Sequence, residues 1–139
     1  MNRYVAILVL LVALVTGCAQ PVPQVVTPEP EKVAEQEIGY GDITGDQLVS
    51  MIGDDTVLIV DVRTAEEYAQ GHLEGAINIP VDKFQTSFDD LDLSKDQPLA
   101  LYCRTGNRSS LAYLVLENQG YDKVYHAPSV SQYDYPLVK

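Results

Sequence analysis

The chain has 139 residues and a formal net charge of −11, from 9 Lys+Arg against 20 Asp+Glu. That length allows one ordinary domain, and a hydrophobic share of 46% excludes a wholly disordered chain. The acidity argues against nucleic acid as a partner, and two cysteines with two histidines exclude a disulfide scaffold and argue, on spacing, against a zinc cluster.

Residues 1–20 carry a single charge, Arg3, and every residue from Val5 to Val15 is apolar. Eleven residues are too few for a comfortable helical span, which needs about 20. The run suits the core of a secretory leader. Val15-Thr16-Gly17-Cys18 resembles a bacterial lipobox. That resemblance implies cleavage after Gly17, a signal peptide over 1–17, and lipidation of Cys18. Two or more acyl chains give stable anchoring where one does not. Ala19 in place of Asp favours the outer membrane, with the chain facing the periplasm. Residues 18–38 then read as a lipidated Cys and a tether, stiffened by Pro21, Pro23, Pro28 and Pro30. With Cys18 lipidated, Cys103 is the one free thiol of the remaining domain, residues 39–139.

Within that domain helices and strands alternate. Thr44 with Gln47 has capping-box spacing and starts a helix that runs through Met51. Gly53-Asp54-Asp55 breaks it, and Val57 to Val60 is a buried-type strand. Thr64 with Glu67 is a second capping box, opening a helix that stops at Gly71. Ala76 to Ile79 is a short strand ended by Pro80. Residues 82–91 form a loose helix with Phe84, Phe88 and Leu91 inward. Leu99 to Tyr102 is another buried strand. Ser109 to Gln119 is an amphipathic helix with Leu111, Leu114 and Val115 on its apolar side. Val124 to His126 is the last strand. This order predicts an α/β fold with a parallel sheet covered on both faces.

The chemistry concentrates in Tyr102-Cys103-Arg104-Thr105-Gly106-Asn107-Arg108-Ser109. Sites in open α/β sheets form at the carboxyl ends of strands, where Cys103 falls. The helix beginning near Arg108 offers N–H groups to an anion and lowers the pKa of a thiol. Gly106 permits a tight, positive-φ cradle. Between Asp96 and Glu117 there is no acidic residue, and the charges present are Arg104 and Arg108.

Two motifs then resemble the rhodanese family. One is the run Asp61 to Pro80, DVRTAEEYAQGHLEGAINIP; the other is Tyr102 to Ser109 with its helix and Gly120 to Tyr125. The resemblance covers about residues 39–126. It implies a five-stranded parallel sheet with helices on both faces, and a sulfurtransferase. Cys103 would be the nucleophile that carries a persulfide. The backbone of Arg104, Thr105, Gly106, Asn107 and Arg108 would form the substrate and anion loop. Arg104 would recruit the donor at the rim, and Arg108 would face inward or brace the loop. Asp61 and Arg63 would support the loop from the neighbouring strand. The donor would be a small thiosulfate-like anion and the acceptor a thiol, cyanide or protein. No cofactor or metal is expected, and the domain is expected to be a monomer. His72 and His126 read as structural, and Tyr102 as buried below the loop. The C-x4-R spacing is one residue shorter than the loop of cysteine phosphatases, which disfavours phosphatase chemistry.

After Tyr125 the family commonly has a Gly-Gly pair and a closing helix. Here stand His126, Ala127 and Pro128, with Pro136 further on. This shortened C-terminal end leaves open a catalytically weak rhodanese-like module that binds or carries sulfur. A redox role for the thiol is a third reading.

Overall fold

The computed structural model describes residues 39–139. The expected leader, Cys18 and tether lie outside the described residues.

Five parallel strands form the main sheet: β1 (Gly41–Asp42), β2 (Leu58–Asp61), β4 (Ile77–Asn78), β5 (Leu99–Tyr102) and β6 (Val124–His126). Their spatial order is β1-β6-β5-β2-β4. The short strands β3 (His72–Leu73) and β7 (Leu137–Val138) pair antiparallel beside it. The helices are α1 (Gly45–Ser50), α2 (Ala65–Gln70), α3 (Phe84–Asp89) and α4 (Asn107–Asn118). A 3-10 turn at Val81–Lys83 leads into α3.

The period of two in β2 and β5 divides the core. Val60, Val62, Leu99 and Leu101 meet Phe84, Phe88, Ala112 and Leu116 on the side of α3 and α4. Ile59, Ala100 and Tyr102 meet Leu48, Met51, Leu73 and Tyr135 on the other. Both faces of the sheet are thus covered, and β5, buried along its whole length, can be continuously apolar. The expected α/β architecture with a five-stranded parallel sheet is the one present. Both capping boxes form: the Thr44 and Thr64 hydroxyls accept from the N–H groups of Gln47 and Glu67, whose side chains accept from the cap N–H groups in return.

Two inward assignments are corrected. Leu91 is 39% exposed, because α3 ends at Asp89 and the chain turns through Asp92 at φ +48°. Leu93, past that turn, packs on the core instead. In α4, Leu111 and Leu114 are 57% and 52% exposed, and the face against the sheet is Ser109, Ala112 and Leu116. The loop that leads into α4 fixes its rotation by turning Ser109 toward Cys103, and a spacing of three and four then carries Ala112 and Leu116 inward.

After β6 the described chain has no helix. Val130 N–H donates to the Cys103 carbonyl at 2.9 Å and Ser131 N–H to the Arg104 carbonyl at 3.1 Å. The segment thus lies against the loop before ending in β7.

Candidate active site

Cys103 follows β5 directly and is fully buried. Its Sγ receives the Gly106 N–H at 3.0 Å and lies 3.3 Å from the Ser109 hydroxyl. Gly106, the N-cap of α4, has φ +95°, the conformation that closes the loop around sulfur. Burial by itself pushes the thiol pKa up. The Ser109 hydroxyl and the N–H groups of Ser109, Gly106 and Thr105 outweigh it, and the thiol ends below its ordinary range.

The expected site residues separate into distinct positions. The Arg104 side chain is 69% exposed at the rim, 3.9 Å from Glu67 Oε1. Thr105 and Asn107 are exposed along the loop. Arg108 braces: its guanidinium donates to Glu67 Oε2 at 2.5 Å and Oε1 at 2.9 Å. This pairing is the main influence holding Glu67 down to about 2. Asp61 and Arg63 form a buried pair, with Arg63 Nη2 at 2.6 Å from Asp61 Oδ2 and 2.7 Å from the Gly71 carbonyl. Tyr102 lies beneath, its ring 5.6 Å from the Arg63 guanidinium carbon and its hydroxyl accepting from Leu73 N–H. Arg63, Glu67, Arg104, Val130 and Ser131 line a cleft of about 370 Å³. Of these groups the exposed Arg104 guanidinium is the one open to a small anion, since Arg63 is already paired with Asp61 and Glu67 is itself a carboxylate.

His72 stacks on Tyr68 at 3.8 Å between ring centres, with Nδ1 at 3.1 Å from the Tyr68 carbonyl, a local tie. His126 ties the loop helix to β1: Nε2 lies 3.0 Å from the Ser109 hydroxyl and Nδ1 2.9 Å from Asp42 Oδ1. Glu67, through Arg108, and His126, backed by Asp42, thus stand against the loop, contacts that the sequence reading did not anticipate. One signal was available: His126 ends a strand on the same edge of the sheet as Cys103.

The family model for the rhodanese-like domain matches residues 44–127, more than half of the chain. The chain is 35% identical over 81 residues to the tRNA uridine(34) hydroxylase of Erwinia tasmaniensis, covering 55% of this chain and 23% of that protein. It thus spans about a quarter of the length of the curated relatives it matches. Among solved structures, a rhodanese with anions from E. coli superposes at TM-score 0.55 with 32% identity, over 60% of this chain and 98% of the other. The human single-domain sulfurtransferase TSTD1 superposes at TM-score 0.54 with 25% identity, over 66% and 88%. A five-stranded parallel sheet, a loop closed around one thiol and a family match across both motifs lead to one conclusion: the chain belongs to the rhodanese-like domain family.

Proposed function

We propose that the protein moves sulfane sulfur from a small anionic donor, of which thiosulfate is the simplest, to a thiol, cyanide or protein acceptor through a persulfide on Cys103. The observation that carries this reading is a Cys103 Sγ held by the Gly106 N–H and the Ser109 hydroxyl, with its pKa lowered. The thiolate attacks the outer sulfur of thiosulfate. An Sγ–S bond forms, the donor S–S bond breaks, and its electron pair leaves with sulfite. The acceptor then attacks the outer sulfur of the persulfide and the Cys103 thiolate departs. Arg104 at the rim would draw the donor toward the cleft, and the N–H groups of Thr105 and Gly106 would stabilise the negative sulfur. Lipidated Cys18 would hold this chemistry at a membrane, facing the periplasm.

The tRNA chemistry in the name of the Erwinia relative is not carried over, since the matched part is 23% of that protein and this chain has a net charge of −11. Full burial of Cys103, with residues 130 and 131 bonded to its loop, supports a second reading, a module that holds sulfur without rapid turnover. The test is the full chain with thiosulfate, read by the mass of the Cys103 peptide and by thiocyanate formed from cyanide. Gain of one sulfur with turnover, both lost in Cys103→Ala, is the expected result. Gain of sulfur without turnover selects the second reading. Absence of both from folded protein overturns the proposal.

A further inference from the structure

The thiol of Cys103 ends a continuous chain of polar contacts that reaches the surface. Cys103 Sγ lies 3.3 Å from Ser109 Oγ, Ser109 Oγ lies 3.0 Å from His126 Nε2, and His126 Nδ1 lies 2.9 Å from Asp42 Oδ1. These groups come from the active-site loop, α4, β6 and β1. Parallel pairing places them: Leu101 is opposite His126, and His126 is opposite Asp42.

A serine hydroxyl has one proton to give, and Ser109 has three neighbours that could take it. One is the Gly106 carbonyl at 2.9 Å, which already accepts from Ser110 N–H and the Ser110 hydroxyl, both at 3.0 Å. Its demand is therefore met without Ser109. On the other side of the imidazole, the Asp42 carboxylate is an acceptor and so fixes the ring proton on Nδ1. That leaves the Nε2 lone pair facing the Ser109 hydroxyl at 3.0 Å, nearer than the Ser110 hydroxyl at 3.4 Å, which the Gly106 carbonyl already engages. The hydroxyl oxygen in turn accepts from the Cys103 S–H.

We propose that Ser109, His126 and Asp42 form a proton relay for the Cys103 thiol. Ser109 is a catalytic residue, touching the reacting sulfur. His126 is a positioning residue that acts through it. In the step the S–H bond breaks with its electron pair left on sulfur, and the proton passes to Ser109 Oγ. The hydroxyl's own proton passes to His126 Nε2. The product is a thiolate facing a serine O–H, backed by an imidazolium beside the Asp42 carboxylate. No oxidant or further reactant takes part. The Asp42 side chain is 92% exposed, so the far end of the relay is open to water. Among the described residues, the other titratable or charged groups facing the chain are Tyr113 of α4, whose ring centre is 6.1 Å from that of His126, and Arg108, whose charge attracts a Cys103 thiolate.

The inference rests on Cys103 being the sulfur-carrying nucleophile, and its test is independent of sulfur transfer. The full chain is alkylated with iodoacetamide across a pH series, and the rate is read on the Cys103 peptide, apart from Cys18. Glutamine can hydrogen-bond where His126 does but cannot carry the proton. In His126→Gln the half-maximal pH should rise by about one unit, a roughly tenfold loss of rate near neutrality. Ser109→Ala, which also loses the hydroxyl's own bond to sulfur, should raise it at least as much, and the double variant should be no worse than Ser109→Ala alone. Asp42→Asn, at an exposed position, should give a smaller shift in the same direction. An unchanged profile in folded His126→Gln, or additive effects in the double variant, overturns the relay. Should Ser109→Ala not fold, His126→Gln and Asp42→Asn decide. If the alkylation shifts appear and thiosulfate leaves no sulfur on Cys103, the relay stands and the sulfur-transfer reading falls. If sulfur is gained and the profile does not move, the reverse holds.

Discussion

Replacing Glu67 by glutamine separates its ion pairs, chiefly the one with Arg108 and more weakly the one with the exposed Arg104, from one helix cap. The Glu67 carboxylate does two jobs: Oε2 accepts the Thr64 N–H that completes the capping box, and both oxygens hold Arg108. Glutamine preserves the first, as Gln47 does at the equivalent place in α1. With Arg108 as the main cause and the Thr64 N–H and Arg63 helping, this carboxyl falls from 4.5 to about 2, which corresponds at most to about 3 kcal/mol for all of them together. The side chain is 19% exposed and the Arg108 side chain 25%, so water screens part of it. The expected cost of Glu67→Gln at pH 7 is on the order of 1–2 kcal/mol. Its sign with pH follows from a pKa lowered in the folded state. The contribution is complete above about pH 4.5 and fades as the pH falls toward 2. Urea unfolding of the wild type and Glu67→Gln at pH 7, 5, 4 and 3 measures the gap. It should be constant from pH 7 to 5 and shrink below that. A gap that stays constant down to pH 3, or a Glu67→Gln variant as stable as the wild type at pH 7, refutes the argument.

Two further predictions concern packing. A Cβ at Gly45 would fall 2.1 Å from the Tyr133 ring, so Gly45→Ala should cost about 1–3 kcal/mol in urea unfolding. The cost should fall in a Tyr133→Ala background; an equal cost in both backgrounds would show that the clash is relieved elsewhere. In α4, Leu116→Ala removes a fully buried side chain and should cost about 2–5 kcal/mol, whereas Leu114→Ala should stay within about 0.5 kcal/mol of wild type. A Leu114→Ala cost equal to that of Leu116→Ala would mean that the helix face is misassigned.

The strands with the longest buried runs were legible from sequence. β5 and β6 span the expected residues, and β2 differs by one at each end. Thr44 and Thr64 were legible because a capping box is a local rule that needs no tertiary partner. β1, β3 and β7 were not, since two residues carry no periodicity and each strand exists through the neighbour it pairs with. The rotation of α4 was misread because a buried serine stands where the hydrophobic pattern expects an apolar residue. That polar residue is inside for the sake of the thiol, so the local pattern fails at the site itself. Cys103, Arg104 and Gly106 were legible because their spacing within one loop carries their meaning. The second role of Glu67 and the place of His126 were not, because they depend on which strands and helices become neighbours across 41 and 17 positions.

The segment after β6 also sets a direction. In a trans peptide the carbonyl and the following N–H point opposite ways. The Arg104 carbonyl is drawn outward to Ser131, so the Thr105 N–H is turned the other way, toward the sulfur whose pKa it helps to lower. The acidity of Cys103 is therefore written partly in the backbone of Ser131, 28 positions downstream, where no side chain needs to touch the thiol. Sequence change in that segment could retune the sulfur while leaving every residue of the loop as it is.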